Sequence, residues 1–416
     1  ERLPDTWISY AGLRAVVLPW NLRERIPAQT RAALRDWIAA GGALVAAGSP
    51  PPPDAEVRAF FALPPPPPGT PDAPEIAFLL GRIVRTGETA EGLAAAGRVA
   101  ALVAGTGPPL FLPIRPEEDW HEVAMRHSGT GTTPAHSDPS ADPVVIPGIG
   151  RPPVWWLLGG GVLFTILIGP VNYFMLKRRG ALTWFWLTTP AGSAAATIAL
   201  LTVGIFSEGT GTKGRQITHR VIDCAAGTEA VFSSFSLYAA FAPSGGMSFD
   251  DRTAVRALPP PVQPGFHPPG RRRSDVEERL VDWSAGQRLA RGWLAARTMT
   301  AFEALRVAPT RARLTVAREG DAWFAENGLG VALARLDVRV PAAGTATLLL
   351  SADGVAEGAR VRLLPAPAPL ALDGIPDAWG RPIAERTAAS GAGGAYGFAA
   401  LCRDPPPDLF GVEKVE

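Results

Sequence analysis

The fold of this chain is decided by residues 157–206, LLGGGVLFTILIGPVNYFMLKRRGALTWFWLTTPAGSAAATIALLTVGIF, which hold two apolar segments separated by a short basic turn. Residues 154–176 form a run of 23 uncharged residues, and residues 183–206 form a second run of similar length. At a rise of about 1.5 Å per residue, each helix reaches about 34 Å, against a membrane hydrocarbon core of about 30 Å. We therefore predict a transmembrane helical hairpin at 154–206.

The turn between the two runs indicates which side of the membrane it faces. It reads KRRGA and contains three positive charges, Lys177, Arg178 and Arg179. Positive charge in short loops favours the cytoplasmic side, so both flanking regions are expected outside the cytoplasm. Aromatic residues at the ends of the runs fit the belts found at membrane interfaces: Trp155, Trp156, Tyr173, Trp184 and Trp186.

Small residues recur every fourth position in both runs. If the hairpin is centred on residue 180, paired positions sum to 360, and the small residues then fall opposite one another. Small residues allow helix backbones to approach closely in lipid. The predicted packing pairs are Gly161 with Ala199, Thr165 with Ala195, and Gly169 with Ala191. Pro170 is expected to kink the first helix, and Asn172 is interpreted as a hydrogen-bonding residue near the helix end.

The N-terminal region predicts an α/β unit. Residues 15–18 and 43–47 are short apolar runs typical of buried parallel strands, and residues 27–40 carry an amphipathic helix between them. A right-handed strand-helix-strand crossover follows. Gly41 and Gly42 come after the helix, where they cap its C-terminus. A phosphate-binding loop would precede a helix instead, so no nucleotide site is expected.

This unit, AVVL followed by AALRDWIAAGGALVAAG, resembles the class I glutamine amidotransferase-like domain, which has a flavodoxin-like fold. Together with IGPVNYFMLKRRG, SEGTGTKGR and APSGGMSF, the chain resembles a family of uncharacterised bacterial membrane proteins that join such a domain to a transmembrane hairpin and a β-rich domain. True amidotransferases need a cysteine nucleophile, yet residues 1–153 contain no cysteine. The resemblance therefore implies the fold without the amidotransferase reaction.

The predicted organisation is a multi-domain membrane protein with four parts. An α/β amidotransferase-like domain spans 1–112, a juxtamembrane linker 113–153, the hairpin 154–206, and an all-β, sandwich-like extracytoplasmic domain 207–416. The last part shows short alternating segments punctuated by Gly, Pro and Asp, as in THRVID, RARLTVA and ARVRLLP. Residues 289–305 fit a helix or strands, and strands are favoured. For Cys224 and Cys402, two alternatives stay open: a disulfide bridge between them and two free thiols.

Composition and motifs exclude several functions. A net charge of +1 over 416 residues gives no basic footprint for nucleic-acid binding. No spacing of the histidines predicts a metal site, Asp250 and Asp251 are interpreted as a solvated turn beside Arg252, and the serines at 233, 234 and 236 lack a nucleophile elbow. The sequence predicts no catalytic, cofactor-binding or metal-binding residues.

The expected role is a non-catalytic envelope protein that binds or scaffolds, in contact with the lipid bilayer and with a protein partner in the envelope, for example as an accessory subunit of a transport system. Two alternatives are a degenerate amidotransferase-like hydrolase with a non-cysteine nucleophile, and an oligomeric transporter component whose hairpins line a pore. Oligomeric state is left open.

Overall fold

The computed structural model describes residues 3–66, 73–95, 98–102, 146, 154–207, 211–241, 245–257, 280–282, 287–294, 296–341, 347–366, 397–402 and 412–415. The predicted linker, with its three histidines, lies outside the described residues except for Ile146. Within the described ranges, the chain has mixed α/β content and several β-sheets.

The N-terminal region forms a small α/β domain. Its four described strands are β1 (Ala15–Pro19), β2 (Ala43–Ala47), β3 (Glu75–Phe78) and β4 (Gly81–Thr86), in the order β1-β2-β4-β3. Strands β1, β2 and β4 are parallel, and β3 is an antiparallel edge strand. Helix α1 (Ala28–Ala39) connects β1 to β2, which confirms the predicted strand-helix-strand unit.

Helices cover both faces of this sheet, which is why β2 is buried along its whole length. Helix α2 is Asp54–Phe60, α3 is Ala90–Ala95 and α4 is Val99–Leu102. Leu93 of α3 packs with Ala43 and Val45 on one face, while Leu44 joins the cluster of α1 on the other. The chain leaves α1 through Gly41, whose φ of 113° favours glycine, as the predicted C-cap requires.

Two antiparallel sheets follow the helical segment. The strands of the central sheet are β5 (Thr212–Asp223), β6 (Thr228–Ala239), β8 (Thr253–Ala257) and β11 (Met299–Pro309). Those of the outer sheet are β7 (Met247–Phe249), β9 (Leu280–Asp282), β10 (Gln287–Arg291) and β18 (Val412–Val415). The central sheet has the order β5-β6-β11-β8 and the outer sheet the order β18-β7-β10-β9. Residues 289–305 are thus strands at both ends, as favoured.

The remaining six described strands form a distal sheet. They are β12 (Arg313–Glu319), β13 (Ala322–Gly328), β14 (Leu333–Pro341), β15 (Thr347–Val355), β16 (Arg360–Pro365) and β17 (Gly397–Cys402). Their order in the sheet is β12-β13-β16-β15-β14-β17. Strand β16 pairs with β13 through its first part and with β15 through its last residues. The sheet therefore folds onto itself around a core that includes Leu314, Leu336, Val338 and Leu350.

The apolar stretch is helical on both sides of its turn. Helix α5 (Val154–Ile166) continues through a π-helical segment (Leu167–Val171) into α6 (Asn172–Arg178), and α7 covers Phe185–Ser207. Pro170 lies in the π-helical segment, because proline cannot donate the regular backbone hydrogen bond. After α6, the Ala181 N–H donates to the Leu176 carbonyl and the Gly180 N–H to that of Lys177, which closes a Schellman motif.

Candidate functional site: the joint core and the helical hairpin

The main feature that sequence reasoning missed is a hydrophobic core shared by segments on both sides of the helical stretch. A single buried cluster contains Leu34 and Trp37 of α1 together with Phe232 of β6 and Leu305 and Val307 of β11. We call this cluster the joint core; its other members from the central sheet are Ala230 and Ala254. The N-terminal domain and the central sheet therefore pack together.

The joint core explains the unusual burial of the central sheet. Phe232 and Leu305 face the N-terminal domain, whereas Phe235 and Phe302 face the outer sheet, where they stack with ring centroids 5.3 Å apart. Strand side chains alternate between faces, so burial of both faces gives a nearly continuous buried run in β6. In AVFSSFSLYAAF, apolar residues occupy both odd and even positions, and this pattern indicates a strand that is buried on both faces.

Polar contacts accompany the joint core. The Trp7 indole N–H donates to the Arg252 carbonyl at 3.0 Å, and the Arg35 guanidinium donates to the Thr228 hydroxyl at 3.0 Å. Both contacts join the N-terminal domain to the central sheet. Burial raises the pKa of Asp36, and the positive charges of Arg35 and Arg252 oppose this effect only in part.

The joint core lies away from the helices along the central strands. Thr212 at the start of β5 pairs with Ala239, and Asp223 at its end pairs with Thr228. His219 and Val221, toward the end of β5, pair with Phe232 and Ala230 of the joint core. At about 3.3 Å per residue, the seven to nine residues from Thr212 to these positions place the joint core about 25 Å along the strands from the start of β5.

The first helical arm is α5 to α6 and the second is α7. The two arms contact each other near the turn in the predicted register. The Asn172 side-chain amide donates to the Thr188 hydroxyl at 3.0 Å, and a Cβ added to Gly192 would lie 3.2 Å from Cδ1 of Ile168. In both pairs the residue numbers sum to 360. Asn172 therefore makes a hydrogen bond between the arms, in keeping with its interpretation as a helix-end hydrogen-bonding residue.

The glycines of the predicted small-residue pairs have open space around them. A Cβ added to Gly161 or Gly169 would meet no atom within 4 Å. The Thr165 hydroxyl donates to the Gly161 carbonyl of its own helix at 2.9 Å. Close packing of the three pairs, with Ala195 opposite Thr165, stays a prediction. The turn residues Lys177, Arg178 and Arg179 are exposed.

The side chains with catalytic potential are held in structural contacts. The Ser233 hydroxyl lies 3.0 Å from that of Thr218, next to the side chain of Gln216. Asp250 accepts from the Arg252 backbone N–H at 2.8 Å and forms an ion pair with Arg306 at 3.2 Å. The carboxylate of Asp250 thus pairs with Arg306, where the sequence indicated Arg252.

Cysteines and metal ligands were the remaining candidates. Cys224 is a free, exposed thiol, so it does not form the bridge to Cys402 that the sequence left open. Across the described part of the chain, no group of three or more His, Cys, Asp and Glu side chains could hold a metal ion.

One helix among the described residues, Leu158–Arg178, is long and apolar enough to cross a membrane, and the most apolar part of it is not buried. Comparison of the chain with models of known protein families, with curated proteins and with solved structures finds no match.

Proposed function

We propose that this protein is a non-catalytic, membrane-anchored scaffold of the bacterial envelope, with two membrane spans and both large domains outside the cytoplasm. The joint core is the observation that carries the proposal. It combines residues that precede the apolar helices, such as Trp37, with residues that follow them, such as Leu305. Two segments can share a core only if they lie on the same side of a membrane.

This requirement sets the number of crossings between the two domains. Any membrane crossing by Leu158–Arg178 must be matched by a return crossing before β5 begins at Thr212. The 23-residue helix α7 is the segment available for the return, since it contains no charged residue and is long enough to span. The tight turn closed by Gly180 supports the same hairpin.

The exposed surface of the two arms supports their burial in lipid. Leu163 is 57% exposed, Trp186 is 86% exposed and Ile198 is 65% exposed. Soluble proteins rarely leave continuous apolar surfaces of this kind in water. Lipid would cover them, and the exposed charges of Lys177, Arg178 and Arg179 would stay in the cytoplasm by the positive-inside rule.

The parallel β1-β2-β4 arrangement with α1 as crossover supports an amidotransferase-like, flavodoxin-like assignment for the N-terminal domain. We interpret this domain as a binding module, because a fold alone does not confer the reaction and residues 1–153 of the chain contain no cysteine. The distal sheet and the N-terminal domain would present surfaces to a protein partner in the envelope, such as a transporter.

Thiol labelling in spheroplasts tests the topology. A membrane-impermeant maleimide should label the native Cys224 in a Cys402→Ser variant, because that thiol is free and exposed. Two further variants in a background without either cysteine report on the other regions: Glu24→Cys, at a side chain 85% exposed in the N-terminal domain, and Thr183→Cys next to the basic turn.

We expect labelling at 24 and 224 in intact spheroplasts, and at 183 only after lysis. Labelling at 183 alone would invert the topology and refute the extracytoplasmic assignment. Labelling at 24 but not at 224, or the reverse, would refute the shared side. Partners can then be sought by cross-linking from position 24 and co-purification, with the Thr183→Cys site as the control on the opposite side.

A further inference from the structure

The end of the β-sheets nearest the apolar helices has a distinct composition. Only four residues separate Ser207 at the end of α7 from Thr212 at the start of β5, which limits the distance between them to about 18 Å. Strand pairing brings the other segments to the same end. Thr212 pairs with Ala239, which forms a bridge to Ala296. Leu289 pairs with Met247 at the start of β7, and Arg291 pairs with Leu280. We call this region the helix-proximal end; it comprises the described residues among 211–213, 238–247, 280–281 and 288–299.

Exposed apolar side chains occur at this end. Phe241 is 60% exposed just beyond β6, and Leu280 is 52% exposed at the start of β9. Trp293 is half-buried beside them and donates its indole N–H to the Leu280 carbonyl at 2.9 Å. Aromatic residues with a polar edge are the side chains that favour the membrane-water interface.

The charges of the helix-proximal end are mainly positive. Its exposed cations are Lys213, Arg288, Arg291 and Arg297. Asp282, which pairs with Arg288 across β9 and β10, is the acidic residue that the described part of the chain brings next to them. The charge of the whole chain is only +1, so this concentration of positive charge is local.

The backbone holds these cations in place. Both Nε and Nη2 of Arg288 donate to the Gly245 carbonyl, at 2.8 and 2.6 Å, which ties β10 to the loop before β7. Arg297 has a φ of 56°, and its N–H donates to the Ala239 carbonyl at 2.7 Å. A non-glycine residue in this conformation is uncommon, so the position is determined by the surrounding structure.

We propose that the helix-proximal end is a lipid-contact surface that binds the anionic headgroups of the membrane into which the hairpin inserts. The proposal rests on the membrane anchoring proposed above, since the short connection to α7 is what brings this end to the bilayer. The clustered cations match the negative charge of the headgroups, and Phe241 and Leu280 enter the interfacial layer. The contact orients the central sheet with its helix-proximal end toward the bilayer and the N-terminal domain farther from it.

Site-specific quenching in nanodiscs tests the contact with the full-length chain. A fluorophore is attached to a single cysteine, in a background without Cys224 and Cys402, at Leu163→Cys, Thr298→Cys or Asp321→Cys. Leu163 is on the first helical arm, and Thr298 is exposed at the helix-proximal end. The Asp321 side chain is fully exposed in the turn between β12 and β13 of the distal sheet. Nanodiscs carry nitroxide lipids labelled in the acyl chain or at the headgroup.

We expect acyl-chain quenching at 163, headgroup quenching at 298 and none at 321. Quenching at 298 should be at least about twofold stronger with anionic phosphatidylglycerol than with phosphatidylcholine, because basic residues gain attraction to a negative surface. Arg291→Gln with Arg297→Gly removes two of the four exposed cations and should reduce this difference. Arg318→Gln with Arg360→Gln removes two exposed charges from the distal sheet and should leave it unchanged.

The outcomes separate the two proposals. Quenching at 163 without quenching at 298 overturns the lipid-contact surface and leaves the anchor intact. Equal quenching at 298 in both lipids overturns the recognition of anionic headgroups. Absence of quenching at 163 overturns the membrane anchor itself. Arg297→Gly is chosen because glycine readily adopts the positive φ at this position, so the fold is preserved.

Discussion

Replacing Leu305 with alanine tests the joint core most directly. Leu305 is 0% exposed on β11, between Phe232 of β6 and Ala254 of β8. The substitution removes three carbon atoms, or about 2.4 kcal/mol at about 0.8 kcal/mol for each buried group. A residual cavity increases the loss, and Leu→Ala changes in cores cost about 2–5 kcal/mol. We expect a loss of about 3 kcal/mol.

The informative measurement is hydrogen exchange of the α1 amides in the full-length protein in detergent. Helix α1 belongs to the N-terminal domain, so its amides report on Leu305 only if the two regions share a core. Since about 1.4 kcal/mol corresponds to a factor of ten, a loss of about 3 kcal/mol should lower the protection of α1 by about 100-fold.

Leu350→Ala is the matched control. Leu350 is 2% exposed in the core of the distal sheet, so the same atoms are removed from a different cluster. This variant should speed exchange in β14 and β15 and leave α1 protected. Equal loss of α1 protection in both variants, or unchanged α1 protection in Leu305→Ala alongside faster exchange in β11, would refute the joint core.

Three further predictions concern single contacts. Asp36→Asn should raise the free energy of unfolding at neutral pH, because the raised pKa of Asp36 means that its ionised carboxylate destabilises the folded state. The gain should shrink as the pH falls through that pKa and vanish near the ordinary value of 3.8. Urea unfolding measured across this pH range would contradict the prediction if the gain grew on acidification. Asn172→Ala should lower the free energy of unfolding in detergent by about 0.6 kcal/mol through the lost hydrogen bond between the arms, whereas Thr165→Ala, whose hydroxyl bonds within its own helix, should leave the contact between the arms unchanged. Gly180→Ala should destabilise the hairpin by about 1 kcal/mol, because the φ of Gly180 is 63°. Gly211 has open space and no positive φ, so Gly211→Ala should not be destabilising, and similar melting temperatures for the two variants would refute the strained turn.

Local patterns were sufficient for much of the fold. Strands β1 and β2 and helix α1 were predicted at the right places, because apolar periodicity and the Gly41-Gly42 cap are determined by neighbouring residues. Residues 218–223, THRVID, were recognised as a strand for the same reason and form the end of β5. Near the turn, the pairing of Asn172 with Thr188 agrees with the register predicted from the short turn, since few residues leave little freedom in pairing.

The candidate site was less accessible to sequence reasoning. The residues of the joint core are separated by the whole helical stretch, as in the contact between Arg35 and Thr228, which are 193 positions apart. No local period encodes such a partner. The helix-proximal end likewise collects Lys213, Phe241 and Arg297 from different strand ends, and only strand pairing brings them together.

The sequence by itself determined the length and apolar character of the helices, the charge of their turn and the alternation of most strands, because these depend on residues close together in the chain. Tertiary structure alone decided that the N-terminal domain packs on the central sheet, that both faces of β6 are buried, and that Cys224 is a free thiol. The physical reason is that burial is a property of complementary surfaces. Phe232 and Phe235 look equivalent in sequence, but one packs against the N-terminal domain and the other against the outer sheet.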